Sequence, residues 1–232
     1  MKLSKRKKQF ATLVDPKKSY PLAEAVEILK KAPKVKFDET VELALKLGVD
    51  PKQSDQMVRG TVTLPHGTGR SVRVACFCRE DLQAKAKEAG ADVVGADDLI
   101  EKVRKGEINF DVAVASPNMM KEVGTLGKIL GPKGLMPNPK VGTVTQDVAK
   151  AIRELKSGRI EFKLDKQADI HVAVGKISFS EAALSENIST LYQSLLKAKP
   201  ASVKGSFVKR MTLSSTMGPG IRLDLAQLKG EE

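Results

Sequence analysis

Residues that commonly build metal centres and redox sites are scarce in this 232-residue sequence. It has two cysteines, Cys76 and Cys78, and two histidines, His66 ten residues before Cys76 and His171 93 residues after Cys78. This spacing shows no complete set of metal ligands, and no cofactor is expected. Residues i and i+2 of a strand share a face but lie too far apart for a good disulfide. Both cysteines are therefore predicted to be buried thiols in a reducing compartment.

The glycine motifs of nucleotide-binding enzymes are also missing. In Gly67–Val72 a valine stands where the dinucleotide fingerprint needs its third glycine, and the segment leads into a predicted strand. Gly127 and Gly131 lie one residue too close together for a P-loop, and Pro132 follows them. No GxSxG elbow or evident catalytic triad occurs. No catalytic site is predicted, so the alternative of a nucleotide-dependent enzyme depends only on a Rossmann-like fold.

Long apolar runs are absent as well. No run approaches the roughly 18 residues that a membrane-spanning helix needs. The first ten residues, MKLSKRKKQF, have no apolar region behind their charges and do not resemble a secretory signal. The sequence contains no basic amphipathic helix of the kind that binds a membrane surface. The expected location is the cytoplasm, with no membrane partner.

Basic residues are present in clear excess. Forty Lys and Arg against 28 Asp and Glu give a formal net charge of +12, which favours a polyanionic partner. Residues 1–36 hold 11 basic and 3 acidic side chains, so this arm carries +8 of the excess. The arm, including Lys5 and Arg6, is predicted to contact a polyanion. The alternative is a solvated tail that only raises solubility.

Alternating apolar and polar residues predict half-buried strands near both ends of the chain. The first two, Val41–Val49 and Met57–Leu64, are expected to pair as an antiparallel hairpin across the Asp50–Asp55 loop. Later alternating segments are Arg159–Leu164, Ala168–Val174, Ser206–Ser215 and Ile221–Leu225. Helices are predicted from Pro21 to Ala32 and from Ser180 to about Lys199.

The middle of the chain follows another pattern. Short apolar strands without alternation are separated there by helices of about ten residues, which is typical of βαβ units and a parallel sheet. The predicted strands are Ser71–Cys78, Asp92–Gly95 and Asp111–Ala115. The predicted helices include Arg79–Ala89, Ala96–Lys105 and Asp147–Ser157.

Together these patterns predict an α/β protein with two domains. Residues 1–67 and 159–232 would form a discontinuous α+β domain with an antiparallel sheet. Residues 68–158 would form an inserted Rossmann-like α/β domain. The chain would cross between them near Gly67–Gly69 and Ser157–Gly158.

The stretch Val123–Val141, VGTLGKILGPKGLMPNPKV, contains four glycines and three prolines. Glycine and proline exclude a regular helix or a central strand over Gly131–Pro139. Its apolar side chains nevertheless predict an ordered loop that packs on a core, because a disordered linker would carry few of them. Lys128, Lys133 and Lys140 would present positive charge from this rigid loop to a polyanion.

This stretch closely resembles the signature of the ribosomal protein L-1 family, whose members belong to the mobile stalk beside the exit site of the large subunit. The resemblance implies a non-enzymatic structural protein that binds large-subunit rRNA. It also implies contact with tRNA, help in releasing deacylated tRNA, and repression of translation by binding its own mRNA. The protein would be a monomer when free of the ribosome, with two domains that open and close.

Two other segments carry candidate RNA contacts. Lys36 and Phe37 stand at the mouth of the first strand, although Phe37 could instead be a core residue that caps the sheet. The segment Ser214–Gly220, SSTMGPG, offers hydroxyls and backbone N–H groups that can bond phosphates and 2′-hydroxyls, although it could be an ordinary turn. The resemblance implies an rRNA-contacting surface of six residues. They are Lys36, Phe37, Thr40, Thr216, Met217 and Gly218.

Further expectations concern the surroundings of that surface. Asp165, Lys166 and His171 are predicted to lie on neighbouring strands and to border it. The hydroxyl of Thr216 is expected to face solvent in the free protein. A side chain added at Gly218 would project toward the ligand backbone.

Overall fold

Helices and strands cover most of the computed structural model, which describes residues 5–33 and 35–229. The helices are α1 (Lys5–Leu13), α2 (Leu22–Lys31), α3 (Glu80–Glu88), α4 (Asp97–Arg104), α5 (Met120–Val123), α6 (Gly127–Leu130), α7 (Val148–Lys156), α8 (Glu181–Lys197) and α9 (Leu225–Lys229). The strands are β1 (Thr40–Leu47), β2 (Arg59–Thr63), β3 (Val74–Phe77), β4 (Val93–Gly95), β5 (Val112–Ala115), β6 (Arg159–Lys163), β7 (Asp169–Lys176), β8 (Val208–Ser215) and β9 (Ile221–Arg222). Short 3-10 turns occur at Ser54–Gln56, Pro117–Met119, Gly124–Leu126 and Pro139–Val141.

Strand β1 lies inside a four-stranded antiparallel sheet with the order β7-β1-β8-β9. Its apolar residues alternate into the core, as predicted from the period of two. The predicted hairpin between β1 and β2 is wrong, because β7 and β8 occupy both hydrogen-bonding edges of β1. Strand β2 pairs with β6 in a separate two-stranded sheet.

Helices α2 and α8 cover one face of the four-stranded sheet. Ala25, Val26 and Leu29 of α2 are buried, and so are Leu184, Ile188, Leu191 and Leu195 of α8. Helix α8 begins at the N-cap Ser180, whose side chain accepts a hydrogen bond from Ala183 N at 3.1 Å. The opposite face of the sheet keeps its polar side chains in solvent, as the alternation requires.

The last predicted strand is shorter than expected. The ladder of β9 covers only Ile221–Arg222, and Leu223 adds one bridge to Tyr20. The side chain of Asp224 then accepts a hydrogen bond from Ala226 N at 3.0 Å, and α9 begins at Leu225. This local bond of an aspartate favours a turn over a continued strand.

A three-stranded parallel sheet with the order β4-β3-β5 forms from the middle of the chain, as predicted. Alternate residues of β3 enter different layers. Ala75 and Phe77 pack with α4, α5 and α6, whereas Cys76 packs with α3 and α7. Both cysteines are fully buried free thiols, and burial raises the pKa of Cys76. The predicted mixed α/β fold, with an antiparallel and a parallel sheet, is confirmed.

The chain divides into two units. The first comprises Met1–Gly69 and Ile160–Glu232, and the second comprises Arg70–Arg159. Each unit has its own hydrophobic core, since the core residues of the antiparallel sheet all lie in the first unit and those of the parallel sheet in the second. Within residues 5–33 and 35–229, no helix has the length and apolar character needed to cross a bilayer.

Candidate nucleic-acid interface

Lys36 and Phe37 are exposed and lie just before β1, from which Asp38 and Glu39 separate them. Phe37 is 55% exposed, so the alternative that it is a core residue is wrong. The residues that follow fix this segment. Asp38 accepts hydrogen bonds from the backbone N of Ser178 at 3.2 Å and from its hydroxyl at 2.8 Å, and the backbone oxygen of Glu39 accepts one from Ile177 N. The aromatic ring is therefore displayed from an anchored backbone.

The turn after β8 is bonded to the start of β1. Thr216 N donates to Thr40 O at 3.0 Å, and Thr216 Oγ1 accepts from Thr40 N at 3.1 Å. Although Thr216 is exposed, its hydroxyl is thus engaged by the protein, contrary to expectation. Replacement of Thr216 by valine would unpair the Thr40 N–H and cannot isolate an RNA contact. Met217, the next residue, is 53% exposed.

Gly218 is required by the turn itself. A Cβ atom there would lie 2.3 Å from Ser215 Oγ, and the Gly218 N–H donates to Ser215 O at 3.0 Å. The expectation that a side chain at 218 would project toward the ligand is therefore wrong. We call the group formed by Lys36, Phe37, Thr40, Thr216, Met217 and Gly218 the turn surface.

Two charged residues near the turn surface were missed by the sequence analysis. Glu39 is only 2% exposed and binds the turn, as described below. It stands in phase with the buried residues Val41 and Leu43, which is the sequence signal that could have identified it. Lys176 pairs with Thr40 across the ladder, and its Nζ donates to Thr40 Oγ1 at 2.8 Å.

The open face of the four-stranded sheet forms a groove of about 470 Å³. The charged side chains and histidine that line it are Lys46, Asp169, His171, Lys209, Arg210 and Arg222. A register shift at Lys46/Leu47 leaves both Lys209 and Arg210 exposed, so that two consecutive cations lie on the open face of the sheet. Lys46 pairs with Asp169 at 3.3 Å. In the described part of the chain, Lys209, Arg210 and Arg222 make no ion pair. We call this basic surface the sheet groove.

The three residues predicted to border the turn surface are spread along the sheet. His171 lies opposite Ala44 and lines the sheet groove. Asp165 and Lys166 lie beyond it, in the connection from β6 to β7. The carboxylate of Asp165 accepts from Gln167 N at 2.7 Å and Asp169 N at 2.8 Å, and these backbone bonds hold the pKa of Asp165 below its usual value.

The length of β1 separates that connection from the turn surface. Thr40 pairs with Lys176 at one end of β1, and Lys46 pairs with Asp169 at the other. Six residue steps along a strand correspond to about 20 Å. The prediction that Asp165 and Lys166 border the turn surface is therefore wrong. They lie at the far end of the sheet groove.

The basic arm is folded where the structure describes it. Lys5 is exposed at the start of α1, but Arg6 is mostly buried and forms an ion pair with Glu39, with Arg6 Nη2 at 3.2 Å from Glu39 Oε1. The Arg6 guanidinium also lies over the Phe10 ring at 5.2 Å from its centroid. Arg6 therefore has a structural partner and is not a free cation of a tail.

The lysines of the glycine- and proline-rich stretch belong to the second unit. Leu126 and Leu130 are fully buried, which confirms the prediction of an ordered segment packed on a core. Lys128 lies on α6 and is exposed, as is Lys133 in the loop that follows. The side chain of Lys140 lies outside the described part of the chain.

An open basic face beside exposed apolar side chains is the arrangement of a nucleic-acid-binding protein. No group of three or more His, Cys, Asp or Glu side chains in residues 5–33 and 35–229 is placed to hold a metal ion. The model of the Ribosomal protein L1p/L10e family matches residues 29–219. The large ribosomal subunit protein uL1 of Protochlamydia amoebophila (strain UWE25) is 55% identical over 224 residues, which span 97% of this chain and 95% of that protein.

The chain therefore belongs to the ribosomal protein L1p/L10e family. It is a structural ribosomal protein and not an enzyme. The alternative of a nucleotide-dependent enzyme built on the parallel sheet has no support.

Proposed function

We propose that this protein binds large-subunit rRNA through the turn surface and the sheet groove of its first unit. Family membership supports the coarser statement that it is a structural protein of the large ribosomal subunit, located on the ribosome in the cytoplasm. The observation that carries the finer proposal is the exposure of Phe37 and Met217 on anchored backbone at one end of the open basic sheet face.

The two surfaces would contribute differently to RNA binding. Lys209, Arg210 and Arg222 offer charges that neutralise phosphates, which supplies affinity but little sequence preference. Phe37 offers a ring for stacking on an unpaired base, and Met217 a flexible thioether for packing on a ribose or base. The turn surface is thus the better candidate for recognition of a particular RNA fold. Crosslinking to total ribosomal RNA, followed by mapping of the crosslinked nucleotides, tests this assignment.

The second unit would provide a second contact. Exposed Lys128 and Lys133 support binding of rRNA or a passing tRNA, with Lys140 as a third candidate. At the mobile stalk this contact would assist release of deacylated tRNA. Filter binding of tRNA to Lys128→Gln and Lys133→Gln tests it, and unchanged tRNA binding would contradict the role.

Translational repression would use the first unit again. If the protein's own mRNA mimics the rRNA site, the mRNA leader and the rRNA fragment should compete for one site on a monomer. Simultaneous binding of both RNAs in a gel-shift experiment would contradict a shared site. Sedimentation of the free protein measures its oligomeric state.

We predict that neutralising the sheet groove makes rRNA binding less sensitive to salt. Each lost phosphate contact should make the slope of log K against log salt shallower by roughly 0.7–0.9. Arg210→Gln and Arg222→Gln should each show this change in fluorescence anisotropy titrations. Lys197→Gln is the control, because Lys197 is exposed on α8, which covers the other face of the sheet. Equal slopes for all variants would place the RNA elsewhere.

We predict that the first unit binds rRNA without the second. Replacement of residues 70–157 by a short Gly-Ser linker should leave a folded protein, because the core of the first unit contains no residue of that segment. Affinity for the rRNA fragment should stay within about tenfold of the parent, since the main contacts are retained. Loss of specific binding with the far-UV CD spectrum of a folded protein would contradict the assignment.

A further inference from the structure

Glu39 is a buried carboxylate that joins three parts of the first unit. Its Oε2 accepts hydrogen bonds from Ser215 Oγ at 2.5 Å and from Met217 N at 3.1 Å. Its Oε1 accepts from Arg6 Nη2 at 3.2 Å. One side chain therefore connects α1, the segment that carries Phe37 and the turn that carries Met217.

The charge of Glu39 is maintained by these donors. Burial raises the pKa of Glu39, but the hydrogen bonds from Ser215, Met217 N and Arg6, together with the guanidinium charge, outweigh burial and leave the pKa below its usual value. The carboxylate is thus ionised at neutral pH. A negative charge beside a surface that binds a polyanion repels phosphates, so it gives no direct electrostatic advantage. Its contribution to binding has to come from what it holds in place.

Phe37 and Met217 cannot fix their own positions, because more than half of each residue is exposed. Each is instead held through backbone close to Glu39. Phe37 lies two residues before Glu39 in the chain, and Met217 donates its own N–H to the carboxylate. Without this connection RNA would have to order both segments on binding, and the ordering would weaken its affinity.

We propose that Glu39, oriented by Arg6, is the positioning residue that sets Phe37 and Met217 for contact with rRNA. This inference rests on the proposed function, because it requires that rRNA bind the turn surface. The N-terminal helix then acts on RNA binding through one ion pair, and not through the net charge of its lysines.

Glu39→Gln tests the inference, because charge and positioning predict opposite results. Loss of a negative charge alone would strengthen RNA binding, whereas loss of positioning should weaken it about tenfold in anisotropy titrations with a large-subunit rRNA fragment. Glu27→Gln is the matched control. It removes the same charge from an exposed position of α2, which covers the other face of the sheet, and should bind about as tightly as the parent. Equal or tighter binding by Glu39→Gln would overturn the inference.

Arg6→Gln tests whether Arg6 orients Glu39. This variant keeps the bonds from Ser215 and Met217 to the carboxylate but removes the ion pair. We expect affinity to fall about tenfold with an unchanged salt slope, and no further loss when Arg6→Gln is combined with Glu39→Gln. Lys17→Gln, which removes the same charge from an exposed position after α1, should change affinity little. A shallower slope for Arg6→Gln, or additive losses in the double variant, would assign Arg6 to a phosphate contact and overturn its positioning role.

Phe37→Ala separates failure of this inference from failure of the proposed function. If rRNA binds elsewhere, Phe37→Ala and Glu39→Gln will both retain the parent affinity, and both proposals fall. If only Phe37→Ala weakens binding, rRNA binds the turn surface but Glu39 has no positioning role. Should the CD spectrum show that Glu39→Gln is unfolded, Arg6→Gln decides by its affinity and salt slope.

Discussion

Replacement of Phe37 by alanine is expected to lower the affinity for large-subunit rRNA about tenfold or more. Stacking of one base on an aromatic ring contributes about 1–3 kcal/mol to binding, which corresponds to this loss. The melting temperature should stay close to that of the parent, because Phe37 is 55% exposed and its removal leaves no cavity. Met217→Ala should weaken binding in the same direction. Isothermal titration calorimetry and differential scanning calorimetry measure the two quantities.

Met57→Ala provides the matched control for both substitutions. Met57 is an exposed apolar residue of the first unit, 49% accessible, in the connection that leaves the far end of β1. Its removal should change neither affinity nor melting temperature. If Met57→Ala and Phe37→Ala lose the same affinity, general loss of exposed apolar surface explains the result and the turn surface is rejected.

The largest effect on stability is expected for Asn187→Leu. Asn187 is fully buried on α8, and its side chain makes three hydrogen bonds to backbone. Its Oδ1 accepts from His66 N at 3.1 Å, while Nδ2 donates to Gly67 O at 3.0 Å and Val174 O at 2.8 Å. Leucine has a similar shape but leaves these partners unpaired. The free energy of unfolding should fall by about 2–4 kcal/mol, since an unsatisfied buried group such as Val174 O costs about 1–3 kcal/mol and the part-buried His66 N and Gly67 O cost less because water can reach them.

Urea unfolding followed by far-UV CD measures this loss. Gln193→Leu introduces the same side chain at an exposed position of α8 and should change the unfolding free energy little. A similar small effect of both substitutions would show that the three bonds of Asn187 contribute nothing net to folding.

The predicted strands β1, β7 and β8 agree with the structure, because one face of their sheet is buried and the other is open. In β1 the apolar residues enter the core at every second position, so the period of two is visible in the sequence. The partners of β1 were not predictable in this way. Sequence order suggested its neighbour β2, whereas the ladders join β1 to β7 and β8, far along the chain. The choice of strand partners depends on how the sheet packs against the helices, and the local alternation of residues does not predict it.

The candidate site could likewise be predicted from the sequence only in part. The types of its residues, an exposed aromatic and a hydroxyl-rich turn, were visible in the sequence. The bonds among them were not, because Thr40 meets Thr216 only after β1 and β8 pair. The exposure of both Lys209 and Arg210 depends on a register shift, which no alternation predicts. Of the two charged residues that were missed, Glu39 did leave a signal in the sequence, because it is a charged residue in phase with the buried face of β1.

The position of the two native thiols in β3 and just after it makes the protein suitable for site-specific labelling. Cys76 and Cys78 are the only cysteines of the chain, and both are fully buried. Because reagents such as maleimides attack the exposed thiolate, these residues should remain unmodified at neutral pH while the protein is folded. A single cysteine introduced at an exposed position in either unit would then take up a fluorophore or spin label without prior removal of the native pair.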